Sequence, residues 1–407
     1  MKRKLKLWLA AMLAIASIGT LGSTPALADV IMDWNAKADA IATQKQVPPV
    51  PHGRALAMLH IAMFEAVNAV ERRYAPYKLS LTADRDTSKE AAAVSAGYDV
   101  LIALYPDEKA DLDKTLVAML SSVAEGDPKT KGVDLGKKAA AGIIALRASD
   151  GADASENYRP HTSPGAYVPT VVPVFSTAGA VTPWTMTSGS QFRPAPPPAL
   201  NSETWTRDLN EIRELGRRDS KKRTAEQTTI GRFWFLTGAR TYNPIVREIA
   251  RTKEMDLVDC ARLYALAAMA GSDALIAVFD AKYAFNLWRP VTAIRNADHP
   301  ATPRDASWLP LGDTPMHPEY PCAHCITSAA VSTVLQGVVG NEVSEIALTS
   351  PTAPGVTRRW TRLQDYSDEV SLARIYAGFH YRFSAEVGKE MGKKIGEQLI
   401  ATQLRKK

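Results

Sequence analysis

Cysteine is scarce: three in 407 residues permit at most one disulfide, which excludes a disulfide-dense scaffold. Sustained alternation of apolar and polar residues is missing too, so neither a β-sandwich nor a β-barrel is expected. No clean internal repeat is present, which sets aside solenoids. Charge of one sign is also scarce once the N-terminus is set apart. Residues 1–28 read as a secretory signal, with "MKRKLK" as a positive n-region, "LWLAAMLAIASIGTL" as an apolar h-region and "ALA" as the cleavage site before Asp29. That segment holds Lys2, Arg3, Lys4 and Lys6 and no acids, so its removal takes the net charge from +6 to +2. So small an excess gives no basic field for nucleic acid. Past the signal, no stretch is expected to supply the ~20 apolar residues of a membrane helix. The expectation is an exported protein, periplasmic or extracellular, with no stable membrane anchor after cleavage and an oligomeric state left open.

What is present is helix. Hydrophobic residues make up 46% of the chain, enough to build a large core. "RALAMLHIAMFEAVNAVERRY" (54–74) spaces apolar residues by three and four, and three further segments continue the pattern to residue 149. Residues 29–150 are therefore expected to form an N-terminal helical layer. Residues 151–202 are rich in Gly, Pro, Ser and Thr and end in "RPAPPPAL"; their aromatic residues favour an ordered cover over the helices. Helical signals resume in 203–407, where a C-terminal helical domain should carry the chemistry. The class is all-α, two packed bundles sharing a core.

Three clusters carry that chemistry. In "KYAFNLWRP", Lys282 and Arg289 are seven apart, so on one helix they point the same way, with Asn286 on that face. Pro290 discourages helix through Arg289 and places the guanidinium near a helix end. Phe285, Leu287 and Trp288 imply burial, and buried cations need an anionic partner. In "HPEYPCAHC", Pro321, small residues and an apolar run predict a helix entrance whose first N–H groups form an anion site. His324 in that first turn could act as acid or base beside a bound oxyanion. In "ARIYAGFHYRFSA", Arg374 can grip an oxyanion with a bidentate fork. His380 lies six residues on, about 240° around an ideal helix, so both reach one site only if Gly378 marks a bend or helix end.

In that order, Lys-x6-Arg-Pro, Pro-x-x-His and Arg-x5-His resemble the signature of the vanadium-dependent haloperoxidase and type 2 phosphatidic acid phosphatase superfamily, K-x6-R-P, P-S-G-H and S-R-x5-H-x3-D. "FNLWRPVTAIR" and "HYRF" are similar to the haloperoxidase side, and the chain as a whole looks like its bacterial members. The resemblance implies helical bundles in which Lys282, Arg289 and Arg374 neutralise the oxygens of vanadate or phosphate, with Cys322 and Ala323 in the same cradle. His380 would be the axial ligand to vanadium, or else a phosphatase nucleophile, and His324 the acid–base group. The implied activity is oxidation of a halide or small organic acceptor by hydrogen peroxide at His-bound vanadate. Haem is not expected, because Ile326 follows Cys325 where a haem-attachment motif needs histidine. The alternative is hydrolysis of a phosphate ester through a phosphohistidine; a third reading is an oxyanion-binding protein without turnover.

Three departures from the signature matter. Cys322 and Ala323 stand at the Ser and Gly of P-S-G-H, and Ser384 at the Asp of H-x3-D. A thiol at a helix start among cations is expected to lose its proton and face oxidation, unless a disulfide with Cys325 protects it. A zinc site from His317, Cys322, His324 and Cys325 is too compressed in spacing. Ser384 is expected to orient His380 weakly and without charge, which harms a nucleophile more than a metal ligand. His317 and Glu319 flank the site and could support its ligands from behind, with ordinary loop polarity as the default reading; His52 is read as a loop residue and His60 as a satisfied core residue.

Overall fold

The computed structural model describes residues 29–407; the expected signal lies outside the described residues. The first layer contains α1 (Asp29–Gln44), α2 (Pro49–Glu71), α3 (Lys89–Leu104), α4 (Lys109–Ser121) and α5 (Asp127–Arg147). Helix α2 starts ahead of the sequence expectation, with Pro residues in its first turn where no N–H is needed. His52 is therefore helical and buried, and its Nε2 lies 2.9 Å from Asp39 Oδ1. Its assignment to a loop is corrected.

Helices α6 (Glu203–Leu215), α7 (Ala225–Phe233) and α8 (Ala239–Thr252) lead into α9 (Leu257–Phe285), the central helix of the molecule. Asp256 caps α9, accepting from Asp259 N at 2.9 Å, and Asn286 ends it in the left-handed region at φ 50°. By length and composition α9 could cross a membrane, contrary to the sequence expectation, but it is mostly buried inside the protein. It packs against α2 on one side and against the second bundle on the other. That bundle comprises α11 (Ala323–Val339), α12 (Leu363–Tyr376) and α13 (Arg382–Thr402), with the short α10 (Pro290–Arg295) at its edge.

Helix α13 lies close along α11. An added Cβ at Gly392 would sit 2.2 Å from Ile326 O, and one at Gly388 would sit 2.7 Å from Cys322 O. The two backbones touch where larger residues would hold them apart.

Residues 151–202 run as a cover with only a short 3₁₀ turn. Buried Asp273 of α9 anchors it, accepting from Trp184 N at 2.7 Å and Thr185 N at 2.9 Å. One element escaped the sequence reading. Strands β1 (Glu342–Ser350) and β2 (Ala353–Arg362) pair antiparallel as a hairpin between α11 and α12. Its inward residues are few, Ile346, Leu348 and Trp360 among them, so its alternation is too short to stand out. The architecture is otherwise the all-α one expected.

Candidate functional site

Lys282 lies in the last turn of α9 and is fully buried; its ammonium donates to Pro318 O at 2.9 Å and Glu319 O at 2.7 Å. Arg289 is not on the same helix face, as the seven-residue spacing had suggested. The helix stops at Phe285, the chain turns through Asn286, and Arg289 caps α10. The two cations converge because of that turn. Asn286 faces away, accepting from Tyr158 OH at 2.8 Å.

The Arg289 guanidinium is held on several sides. Its Nε donates to His317 O at 2.8 Å and its Nη1 to Phe379 O at 3.0 Å. Nη2 lies 2.9 Å from His317 Nδ1, and Nη1 lies 3.3 Å from His380 Nε2. Arg374 sits in the last turn of α12, where its Nη1 donates to Trp234 O at 2.6 Å. Its Nε and Nη2 are buried with no hydrogen-bond partner among the described residues.

Helix α12 ends at Tyr376, and Gly378 adopts φ 80° with Gly216 O where a Cβ would stand, 2.5 Å away. This is the bend required for Arg374 and His380 to meet. His380 is buried, with Nδ1 2.9 Å from Glu319 Oε1. His324 lies in the first turn of α11, its Nε2 3.1 Å from Leu236 O. Together with Ala323 it presents first-turn N–H groups that no earlier turn of the helix can engage.

Electrostatics tie these groups into one site. Burial, then Arg289 and Arg374, pushes the Lys282 ammonium well below its ordinary range, with Glu319 opposing. Burial brings Arg289 down to about 10 and Arg374 to about 9. Both histidines are driven well below 6.5 by burial and then by cations, His380 by Arg289, Lys282 and Arg374, and His324 by Arg374 and Lys282. Burial raises Glu319 to about 7 while Lys282 and Arg289 pull it back. Three buried cations thus face one carboxylate. A bound anion would relieve that excess and favour the charged form of each group.

The cysteines change the expected chemistry of the α11 entrance. Cys322 and Cys325 form a disulfide with their Cα atoms 5.3 Å apart, and Cys322 Sγ accepts from Cys325 N at 3.1 Å as the helix cap. The first turn of a helix brings positions three apart within disulfide reach. The expected reactive thiolate at Cys322 is therefore absent, and neither sulfur is available to zinc. Ala323 keeps its place at the helix entrance.

Sequence reasoning missed the groups that hold the site in place. For Glu319 and His317 loop polarity was the default and a supporting role the alternative; both are buried against His380 and Arg289, so the alternative is the one the structure shows. Ser384 was expected to orient His380; it is buried beside Glu319, and its Oγ has no hydrogen-bond partner among the described residues. The carbonyls of Trp234 and Leu236 come from the α7–α8 loop, which carries no motif. Trp360 of the hairpin packs on Trp234 with ring centres 5.7 Å apart, so the missed hairpin backs that loop.

Comparison with known proteins agrees with this geometry. Residues 262–406 match the model of the VCPO second helical-bundle domain. A vanadium chloroperoxidase of Curvularia inaequalis is 31% identical over 237 residues, covering 42% of this chain and 38% of that protein. The chain thus spans well under half the length of that curated relative. Among solved structures, a bacterial vanadium-dependent iodoperoxidase superposes with a TM-score of 0.78 at 24% identity, covering 93% of this chain and 97% of that one. An apo-type bacterial vanadium-dependent chloroperoxidase gives 0.69 at 16% identity, covering 87% of this chain and 94% of that one. These two likenesses concern the fold alone; the match over residues 262–406 and the partial similarity to the curated relative support kinship of the second bundle with the vanadium-dependent haloperoxidases.

Proposed function

We propose that this chain is a vanadate-dependent peroxidase that oxidises halide with hydrogen peroxide, and that it works in an oxidising compartment outside the cytoplasm. The observation that carries the reading is the buried excess of positive charge around His380 Nε2. The residues present fit vanadate. Arg374 Nε and Nη2 are buried donors without partners among the described residues, Lys282 and Arg289 would neutralise further charge, and His380 Nε2, with Nδ1 on Glu319, would be the nitrogen to bond the metal. Bound vanadate would supply Lewis acidity that activates hydrogen peroxide toward halide.

The protein's own part is orientation and proton handling. The three cations hold an oxyanion at fixed angles and lower the cost of negative charge as it builds. His324 Nε2 lies 3.1 Å from Leu236 O; donating there would leave Nδ1 of a neutral ring as the atom that could hold a proton in the site. The disulfide supports peroxide chemistry, because it removes a thiol that peroxide would oxidise, and it supports an exported location. The relatives named as vanadium peroxidases favour the same branch.

One observation favours a second reading, a phosphatase. The expected handicap of Ser384 disappears, since Glu319 supplies His380 with a carboxylate, as a histidine nucleophile attacking phosphorus would require. A single preparation decides between them. The peroxidase reading expects bromination of a diketone dye that depends on added orthovanadate and is lost in His380→Ala. Release of nitrophenol from a phosphate ester without vanadate, with no bromination, overturns it in favour of the phosphatase. Phosphate binding with neither activity overturns both.

A further inference from the structure

We infer that Glu319 is the positioning residue that fixes the tautomer of His380, holding the proton on Nδ1 so that Nε2 keeps its lone pair for the oxyanion. The inference deepens the proposed oxyanion chemistry and rests on it. Glu319 Oε1 lies 2.9 Å from His380 Nδ1, and neither side chain reaches solvent. The same oxygen accepts from Tyr381 N at 3.0 Å, so the residue next to the histidine fixes the carboxylate orientation. A carboxylate oxygen can only accept here, which requires the hydrogen on Nδ1. Nε2 then faces Arg289 Nη1 at 3.3 Å.

The backbone of Glu319 locks this arrangement to the rest of the site. Its carbonyl accepts from Lys282 Nζ at 2.7 Å, and its N–H donates to Leu287 O at 2.8 Å, two residues before Arg289. The turn before α11 therefore registers the lysine, the first arginine and the histidine against one another. Its second oxygen, Oε2, is buried with no hydrogen-bond partner among the described residues, as is Ser384 Oγ. The serine adds a neutral neighbour to the carboxylate and makes no bond to the histidine.

Two roles for Glu319 predict opposite results. If it were only a counter-charge, its removal would leave the pocket more cationic, and every oxyanion would bind at least as tightly. If it holds the lone pair on Nε2, only an oxyanion bonded to that nitrogen suffers. The test is calorimetric binding of orthovanadate and of inorganic phosphate to the wild type, Glu319→Ala and Glu319→Gln. In Glu319→Ala vanadate should weaken by about tenfold or more while phosphate does not weaken. Glu319→Gln keeps an acceptor oxygen and should lie between Glu319→Ala and the wild type for vanadate. Nitrogen NMR of labelled histidine gives a second readout, independent of any ligand: His380 carries its proton on Nδ1 in the wild type and loses that preference in Glu319→Ala. Parallel behaviour of the two anions, or an unchanged His380 signal, overturns the inference. Absence of vanadate binding to the wild type instead overturns the proposed function and leaves the NMR result to judge Glu319.

Discussion

Two buried histidines, His60 in the N-terminal layer and His380 in the second bundle, look alike by burial and differ in what their nitrogens meet. Each is 1% exposed, and burial depresses the basicity of both, that of His60 to about 3. The amide of Asn35 donates to His60 Nε2 at 2.9 Å, its ring stacks on Tyr264, and its Nδ1 has no partner among the described residues. At His380 one nitrogen meets a carboxylate and the other a guanidinium. Low basicity therefore marks burial in both places. A reactive site is marked by both ring nitrogens being aimed at charged groups.

The sharpest way to break the comparison is to delete each ring. His380→Ala should lower halide oxidation by at least about a hundredfold, measured as bromination rate, while His60→Ala leaves turnover per folded molecule near the wild-type value. Next comes the charge around His380. Arg374→Met removes one of three crowded buried cations, so phosphate affinity should fall by about tenfold or more while the melting temperature rises. A lower melting temperature would show that the cations are not in tension. The turn that delivers His380 is third. Gly378→Ala should cost about 3–5 kcal/mol in denaturant unfolding, from left-handed strain plus overlap with Gly216 O.

The smallest effect concerns His60 and acid. Its folded pKa is lowered, so the stability it allows is full above about 6.5 and is lost as pH falls toward 3. Between pH 6.5 and 4 the wild type should lose roughly 3 kcal/mol more than His60→Phe, compared by urea unfolding at each pH. Equal losses would mean that the ring takes up its proton without cost, and low basicity would then no longer be common to the two histidines.

Much of this was legible in the sequence, for identifiable reasons. Lys282, Arg289, His324, Arg374 and His380 stood out because three short motifs keep fixed spacing and order, and the need for a bend at Gly378 followed from helix geometry alone. The sense in which Lys282 and Arg289 align was misread, because a helix stop at Phe285 cannot be seen in a seven-residue spacing. Glu319 was hidden for a different reason. A single acid in a proline-flanked turn belongs to no periodic pattern, and its partner lies 61 positions away. The only hint was a carboxylate between Pro318 and Tyr320, in a stretch otherwise apolar enough to bury. The Ser384 departure, read as a loss, leaves His380 with a carboxylate partner all the same, because Glu319 reaches it from outside the motif.

The close contact of α13 with α11 has a consequence for how the site ages in evolution. His380 lies two residues before α13 and His324 in the first turn of α11, and the two helices meet main chain to main chain at Gly388 and Gly392. Spacing between the two imidazoles is thus inherited from peptide geometry and does not depend on the bulk of intervening side chains. Core residues elsewhere in the bundle can be exchanged for others of different volume without moving the two histidines. Enlarging either glycine would shift both histidines at once, with no contact to either.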